Sequence, residues 1–459
     1  MRVSGLEQQR VALWGFGREG RASWRALRAQ FPDKPLSLFC PRAEHPAAAD
    51  LGDSLLEVRD EPSAEQLTEF DWVIKSPGIS AYHPVCLQAG ERGVAFSSGT
   101  ALWFAEQLPG LKLCVTGSKG KSSTTALIAH LLRKRGLLVG LAGNIGLPLL
   151  DLLAPPLLPA AWAIELSSYQ TGDAVEPDVA LVLNLFAEHL DWHGSEQRYF
   201  EDKLRLVTQS RPRVAVLNWQ DSRLREVAEH IDPAVTEVRW FGREDGWHQH
   251  DGAIYQRSEA RLTLDRLPIA GTHNASNLCA AMSVIEAAGL AQPGMIDSAL
   301  SFKALPHRLQ TVGERDGLRY IDDSIATTPQ ASIAALRCFE GHSIAILVGG
   351  FERGLDWAPF VEHLRTHPVA RVICRGANGA RIAAQLSAEL PQLEVLQVSD
   401  LSEAVEQARA ALPGGGVVLL SPGAPSFPEF KDYTERGAKF AAAAGFTAAA
   451  GVLGGLGIA

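Results

Sequence analysis

The sequence predicts an α/β fold in three domains. Short apolar runs of β type alternate with helical segments along the whole chain, the pattern of parallel α/β layers. Two glycine-rich turns each sit between such a run and a helix, as ligand-binding β–α turns do. At 459 residues the chain is also too long for one core and fits two to four domains.

The elements follow in order. Val11–Trp14, Leu36–Phe39, Trp72–Ile74 and Val94–Phe96 are expected as buried strands of a first domain, 1–98. Leu113–Val115 opens a second, 99–303, followed by a helix from Ser122 to about Arg135 and by strands at Trp162–Leu166, Val179–Leu183 and Val214–Leu217. The polar, short-stranded stretch Arg239–Asp265 is expected as a small β excursion. A third domain, 304–459, carries strands at Arg319–Ile321, Ile344–Val348, Val372–Cys374 and Val417–Leu420, with a helix at Pro329–Arg337, and ends in an Ala/Gly-rich tail.

Composition narrows the function classes. Hydrophobic residues at 46% and charged residues at 21% exclude a disordered chain. A net charge of −9 disfavours the basic face that nucleic-acid phosphates require, so no nucleic-acid partner is expected. The six cysteines are scattered without a CxxC pair, which predicts free thiols in a reducing compartment. Met1–Arg10 is polar and lacks the apolar core of a signal peptide, so a cytoplasmic protein is expected. Gly146–Ile164 is leucine-rich but holds Asp151 and four prolines, and reads as a loop-broken helix of a soluble core. The uncharged tail Ala441–Ala459 is mostly alanine and glycine, too weakly apolar for stable membrane insertion.

Chemistry concentrates at a few motifs. Thr116-Gly117-Ser118-Lys119-Gly120-Lys121-Ser122-Ser123 lies between an apolar run and a helical pattern, the setting a phosphate loop requires. Glycines let backbone N–H groups converge on phosphate oxygens, and the helix N-terminus adds partial positive charge. Lys121 can reach the terminal phosphates and the Ser122 hydroxyl can ligate Mg²⁺. The loop is shorter than the standard form, since Gly117 precedes Lys121 by only four positions. A second turn, Gly15-Phe16-Gly17-Arg18-Glu19-Gly20, is placed for a dinucleotide or diphosphate, or is a plain tight turn. Phe39-Cys40-Pro41-Arg42 stands where a ribose-binding acid would be expected, which argues against NAD. Glu165-Leu166-Ser167-Ser168-Tyr169-Gln170 and Asn184-Leu185-Phe186-Ala187-Glu188-His189-Leu190-Asp191 each end a buried strand, and Lys203 lies on the amphipathic segment Tyr199–Leu206. A carboxylate, an imidazole and a lysine near a triphosphate suit metal-assisted phosphoryl transfer. Taken singly, each has a plain structural explanation as cap, core histidine or surface lysine.

In these motifs the sequence resembles the Mur ligases, and within them the members that add glutamate to UDP-N-acetylmuramoyl-L-alanine. The resemblance runs from about Val11 to Phe440 and also includes Ser76-Pro77-Gly78-Ile79, Gly143-Asn144-Ile145-Gly146, Gly271–Asn277, Leu305–Arg308, Asp322-Asp323-Ser324 and Leu420–Gly423. It implies a Rossmann-like N-terminal domain, a central P-loop ATP-binding α/β domain and a Rossmann-like C-terminal α/β domain. The UDP-substrate would lie at Gly15, Gly17, Arg18, Gly20, Ser76, Pro77 and Gly78, with its muramoyl-alanine end along Asn144, Ser167 and Gln170. ATP would be bound by Gly117, Ser118, Lys119, Gly120, Lys121, Ser122 and Ser123, with Asn274, Asn277, Arg308 and Asp323 reaching adenine, phosphate and ribose. Two Mg²⁺ ions would be served by Ser122, Glu165, His189 and a carbamoylated Lys203, and Lys121, His189 and Lys203 would be catalytic. Thr327, Arg353, Ser426 and Tyr433 would form the amino-acid pocket. A monomer is expected.

Two departures bear on that pocket. The family's D-S-K-A-T-N becomes Asp323-Ser324-Ile325-Ala326-Thr327-Thr328, placing an apolar side chain where a lysine is usual, and Gly349-Gly350-Phe351-Glu352-Arg353-Gly354 offers Arg353 as the carboxylate clamp. Such changes resemble a divergent branch that adds L-glutamate, in functional partnership with a glutamyl epimerase. The alternatives are ordinary drift in a D-glutamate enzyme, a folate-type polyglutamate ligase that shares the ATP domain, or a non-catalytic nucleotide-binding regulator.

Overall fold

The computed structural model describes residues 1–186, 190–269, 271–303 and 305–447, the side chains of Leu190 and Asp191 excepted. The chain divides into two compact units, one built from Met1–Arg266 and Ala275–Leu300, the other from Leu267–Asn274 and the chain from Ser301.

The first unit holds two parallel sheets. One has five strands in the order Leu56–Arg59, Leu36–Phe39, Val11–Trp14, Trp72–Lys75, Ala95–Ser97. Val11–Trp14 lies centrally, where the winding reverses, and α/β sheets open a ligand crevice at such a switch point. The second has six strands in the order Glu237–Phe241, Val214–Asn218, Val179–Val182, Leu111–Thr116, Ala161–Glu165, Val139–Gly143. Two of its inner strands, Ala161–Glu165 and Val179–Val182, are buried along their whole length, so they read as continuous apolar runs without alternation. Three adjacent strands therefore end side by side at Thr116, Glu165 and Val182, which gathers the polar motifs at one sheet edge. The expected β excursion exists as the antiparallel set Trp247–His250, Ala253–Gln256 and Glu259–Thr263. Its first part differs from expectation, because Glu237–Phe241 joins the parallel sheet as an edge strand.

The second unit contains a six-stranded sheet in the order Gln310–Arg315, Leu318–Asp322, Gly416–Leu420, Ile344–Val348, Arg371–Cys374, Val395–Gln397. It is parallel except for the antiparallel pairing of Gln310–Arg315 with Leu318–Asp322. Both edge strands escaped the sequence reading because their residues are half-buried or exposed and show no continuous apolar run.

Gly146–Ile164 contains no α-helix. One 3-10 turn at Leu149–Leu152 precedes an irregular, proline-rich connection into the strand Ala161–Glu165, because proline lacks the N–H an α-helix needs and clashes with its preceding turn. Among the described residues no helix is long and apolar enough to cross a membrane. The tail's first residues close the helix Tyr433–Ala443, and 448–459 lie outside the described residues. All six cysteines are free.

Candidate active site

The phosphate-loop sequence folds as the strand–loop–helix its spacing requires, with the strand Leu111–Thr116 leading into the helix Lys121–Arg133. Gly120 caps that helix at φ +86°, and a Cβ there would lie 2.5 Å from Asn277 Oδ1. Glycine thus permits both the left-handed turn and the close approach of Asn277. The first helical turn contains no acidic residue, so its N–H groups and dipole remain suited to an anion. Lys121 Nζ folds back onto the Gly117 and Ser118 carbonyls at 2.9 Å each, and Lys203 Nζ donates to the same Gly117 carbonyl at 3.0 Å. Lysines 82 positions apart in the chain are thereby brought to one oxygen. Ser122 is buried beside them. Asn184 steadies the loop from the neighbouring strand end, accepting from Lys119 N at 2.8 Å and donating to Lys119 O at 3.1 Å.

Glu165 ends the adjacent strand and is 1% exposed. Its Oε1 accepts from Asn144 Nδ2 at 2.8 Å, while Oε2 is buried with no hydrogen-bond partner among the described residues. A buried carboxylate oxygen with an open lone pair at the edge of a phosphate loop fits a divalent cation. His189 lies outside the described residues. Ser167 Oγ donates to Gln170 Oε1 at 2.9 Å, and Gln170 Nε2 donates to Thr100 Oγ1 at 3.1 Å. Gln170 is buried, so it braces Ser167, which is itself half-buried.

The N-terminal glycine turn lies against Ser76, whose Oγ donates to Gly15 O at 3.3 Å. A Cβ at Gly20 would sit 1.9 Å from that same carbonyl, so only glycine admits the helix Arg18–Gln30 this close to the strand. Arg18, at the end of the turn, donates to Gly143 O at 2.9 Å and to Asn144 O at 3.1 Å. It joins the turn to the Gly143–Gly146 loop, next to the Glu165 partner.

In the second unit, Asp322 accepts from His307 Nδ1 at 2.7 Å, and Asp323 accepts from Ser421 Oγ at 2.7 Å. Burial pushes the Asp323 carboxyl up to about 7. A carboxyl whose folded value is raised is neutral and harmless below its ordinary value of 3.8, and costs stability as pH climbs toward about 7. Asp323→Asn carries no such charge. We expect its melting temperature relative to the parent to rise between pH 5 and pH 8, by the equivalent of up to about 3 kcal/mol. A difference independent of pH in thermal melts would refute this.

The loops after Ile344–Val348 and Gly416–Leu420 run together, with Gly349 N donating to Pro422 O at 2.7 Å and Phe351 N to Pro425 O at 3.0 Å. Arg353 and Ser426 therefore sit on adjacent loops, Arg353 exposed and Ser426 buried. Tyr433 opens the helix Tyr433–Ala443 and Thr327 is exposed before the helix Pro329–Arg337. Ile325 is half-buried, its N–H 3.3 Å from His307 O. Sequence reasoning missed Arg436, 1% exposed, which donates to Ser324 O at 2.6 Å, Ser324 Oγ at 3.0 Å and Ala424 O at 3.0 Å. That guanidinium pins the Ser324 turn to the Ala424 loop, a role no local pattern signals.

A parallel sheet that presents a loop of phosphate-binding pattern, a buried carboxylate and two converging lysines at its carboxyl edge has the layout of a nucleotide-using enzyme. The profile of the Mur ligase middle domain matches residues 115–285, and that of the Mur ligase glutamate ligase domain matches 307–423. The chain is 49% identical to the UDP-N-acetylmuramoyl-L-alanine--L-glutamate ligase of Xanthomonas campestris pv. campestris strain 8004, over 100% of both chains. It is 39% identical to the Salinispora tropica protein of the same name, over 98% of this chain and 100% of that one. Two solved structures share the fold. MurF from Acinetobacter baumannii matches with TM-score 0.58 and 16% identity, over 86% of this chain and 89% of that one. UDP-N-acetylmuramate-alanine ligase MurC from Thermotoga maritima matches with TM-score 0.56 and 18% identity, over 94% and 98%. The chain belongs to the Mur ligase family and is an ATP-dependent ligase.

Proposed function

We propose that this ligase joins L-glutamate to UDP-N-acetylmuramoyl-L-alanine in the assembly of the peptidoglycan precursor, in the cytoplasm and as a monomer. The full-length relationship to ligases named for that substrate and that enantiomer carries the reading. Under it, Gly15, Gly17, Arg18, Gly20 and Ser76–Gly78 face the UDP end of the substrate, and Asn144, Ser167 and Gln170 line its muramoyl-alanine end. The loop 117–123 holds the ATP phosphates, and the family resemblance assigns Asn274, Asn277, Arg308 and Asp323 to the nucleotide as well.

The alanine carboxylate is a poor acyl donor. It attacks the γ-phosphorus, ADP departs, and an acyl phosphate results. The glutamate amine then adds to the acyl carbon and expels phosphate, losing its proton to solvent or base. Lys121 neutralises charge that builds on the transferring phosphoryl oxygens. Ser122, Glu165, His189 and Lys203 would hold Mg²⁺, which supplies charge neutralisation and alignment of the triphosphate. Lys203 would do so as a carbamate: its neutral amine adds to CO₂, an N–C bond forms, a proton leaves, and a cation becomes an anion.

Thr327, Arg353, Ser426 and Tyr433 would receive glutamate. With Ile325 apolar, the α-carboxylate finds its counter-charge at Arg353, whose planar guanidinium pairs bidentately. Inverting Cα moves the carboxylate away from that fork while the side chain stays anchored. Losing one charge-assisted pair corresponds to roughly ten- to hundredfold selectivity. Ligation assays with each enantiomer, ATP and UDP-N-acetylmuramoyl-L-alanine test this. A higher kcat/KM for D-glutamate would make the protein a D-glutamate ligase, and ATP turnover indifferent to the UDP-sugar would favour a folate-type activity. Use of L-glutamate requires a downstream epimerase acting on the glutamyl residue.

A further inference from the structure

The helix Glu196–Thr208 presents Tyr199, Asp202 and Lys203 at positions i, i+3 and i+4, all buried on one face. Lys203 reaches Gly117 O, and Tyr199 OH lies 2.8 Å from Ser118 Oγ, so two of the three touch the phosphate loop. Asp202 instead turns to His193, whose Nδ1 lies 2.7 Å from Asp202 Oδ2. The opposite ring nitrogen, Nε2, lies 3.0 Å from Ser168 Oγ. His193 is 0% exposed, Asp202 3% and Ser168 5%.

Asp202 also accepts from Tyr82 OH at 2.9 Å and pairs with Arg205 Nη2 at 3.1 Å, so its carboxylate serves as an acceptor throughout. His193 Nδ1 therefore donates to it, and Nε2 shares a hydrogen bond with the Ser168 hydroxyl. The spacing resembles a nucleophile–base–acid triad, yet the Ser168 hydroxyl is buried against the ring. A buried polar chain of this kind specifies one arrangement of the segments it joins. Those segments are the loop that follows Glu165 and the helix turn that carries Lys203. Tyr82 extends the chain to the segment after Ser76–Ile79, and Trp192 fastens the same place, accepting at its carbonyl from Ser80 Oγ at 2.7 Å and donating to Pro77 O at 3.1 Å.

We propose that His193 is a positioning residue for the ligation: bridging Ser168 to Asp202, it holds Lys203 and the Glu165 loop in the mutual register that phosphoryl transfer needs. This rests on the reading of Glu165 and Lys203 given under Proposed function. If that reading is wrong, the parent shows no ¹³C carbamate signal and Lys203→Ala is not rescued by short carboxylates, an outcome distinct from failure of the bracket.

The test compares His193→Phe, His193→Asn and Ser168→Ala with the parent. Phenylalanine keeps the ring but neither hydrogen bond. Asparagine keeps a donor near Nδ1, and Ser168→Ala removes a single hydroxyl. We expect His193→Phe to lower kcat by about thirtyfold or more and Ser168→Ala by about tenfold, with His193→Asn between parent and Phe. ADP affinity by calorimetry should stay within about threefold, because the phosphate loop is untouched. The ¹³C carbamate resonance of enzyme equilibrated with labelled bicarbonate should weaken in His193→Phe. Tyr82→Phe should raise KM for the UDP-substrate more than it lowers kcat. The proposal is overturned if Ser168→Ala keeps the parental kcat, or if kcat, ADP affinity and melting temperature fall together, as loss of a merely structural contact would produce. Should His193→Phe fail to fold, Ser168→Ala decides alone.

Discussion

Replacing Lys121 with alanine should lower the ligation rate by about 10²-fold or more while the protein remains folded. Its ammonium lies 2.9 Å from two loop carbonyls at the helix start, so it is held where phosphate oxygens would converge. Charge on those oxygens peaks in transfer, so the loss falls on the transition state more than on ATP binding. Removing one such preorganised donor costs on the order of 10²–10³ in kcat, or about 3–4 kcal/mol. Phosphate release assayed with saturating substrates measures it, with circular dichroism as the control for folding. A variant within about tenfold of the parent would remove Lys121 from the proposed role.

The second large effect concerns Lys203. The residue is 1% exposed and reaches Gly117 O, so alanine leaves a hole beside the phosphate loop. On the carbamate reading, the lost group is an anion able to support Mg²⁺, and an added short carboxylate can take its place in the hole. We expect Lys203→Ala to lose at least about 10²-fold in kcat and to recover part of it with formate or acetate. A lysine acting as a cation would not be rescued by an anion. No recovery with any short carboxylate, together with an unmodified amine in the ¹³C spectrum of the parent, would reject the carbamate.

The parts of this protein that could be read from sequence are those whose physics is local. The strands Val11–Trp14 and Ile344–Val348 are buried on both faces and leave uninterrupted apolar runs. The phosphate loop is contiguous, its strand, glycines, lysine, hydroxyl and helix following one another without a gap. Edge strands such as Leu56–Arg59 and Val395–Gln397 left no such mark, because half-exposed residues need no apolar pattern. Gly146–Ile164 misled in the other direction, since leucines suit a helix but prolines at 148, 155, 156 and 159 do not.

What only the tertiary structure decided is which distant side chains meet. Sequence marks Lys121 and Lys203 as separate lysines, and the adjacency of sheet ends brings both to the Gly117 carbonyl. Arg18 belongs by motif to the N-terminal turn, yet its guanidinium caps carbonyls at Gly143 and Asn144. His193, Asp202 and Arg436 carry no motif that separates them from ordinary polar residues, and within Glu165–Gln170 nothing sets Ser168 apart from its neighbours. Burial and hydrogen-bond saturation identify them, and these arise from packing between segments far apart in the chain. Motif chemistry is written into consecutive residues because backbone turns are local, whereas the support of that chemistry is settled by whatever the fold lays against it.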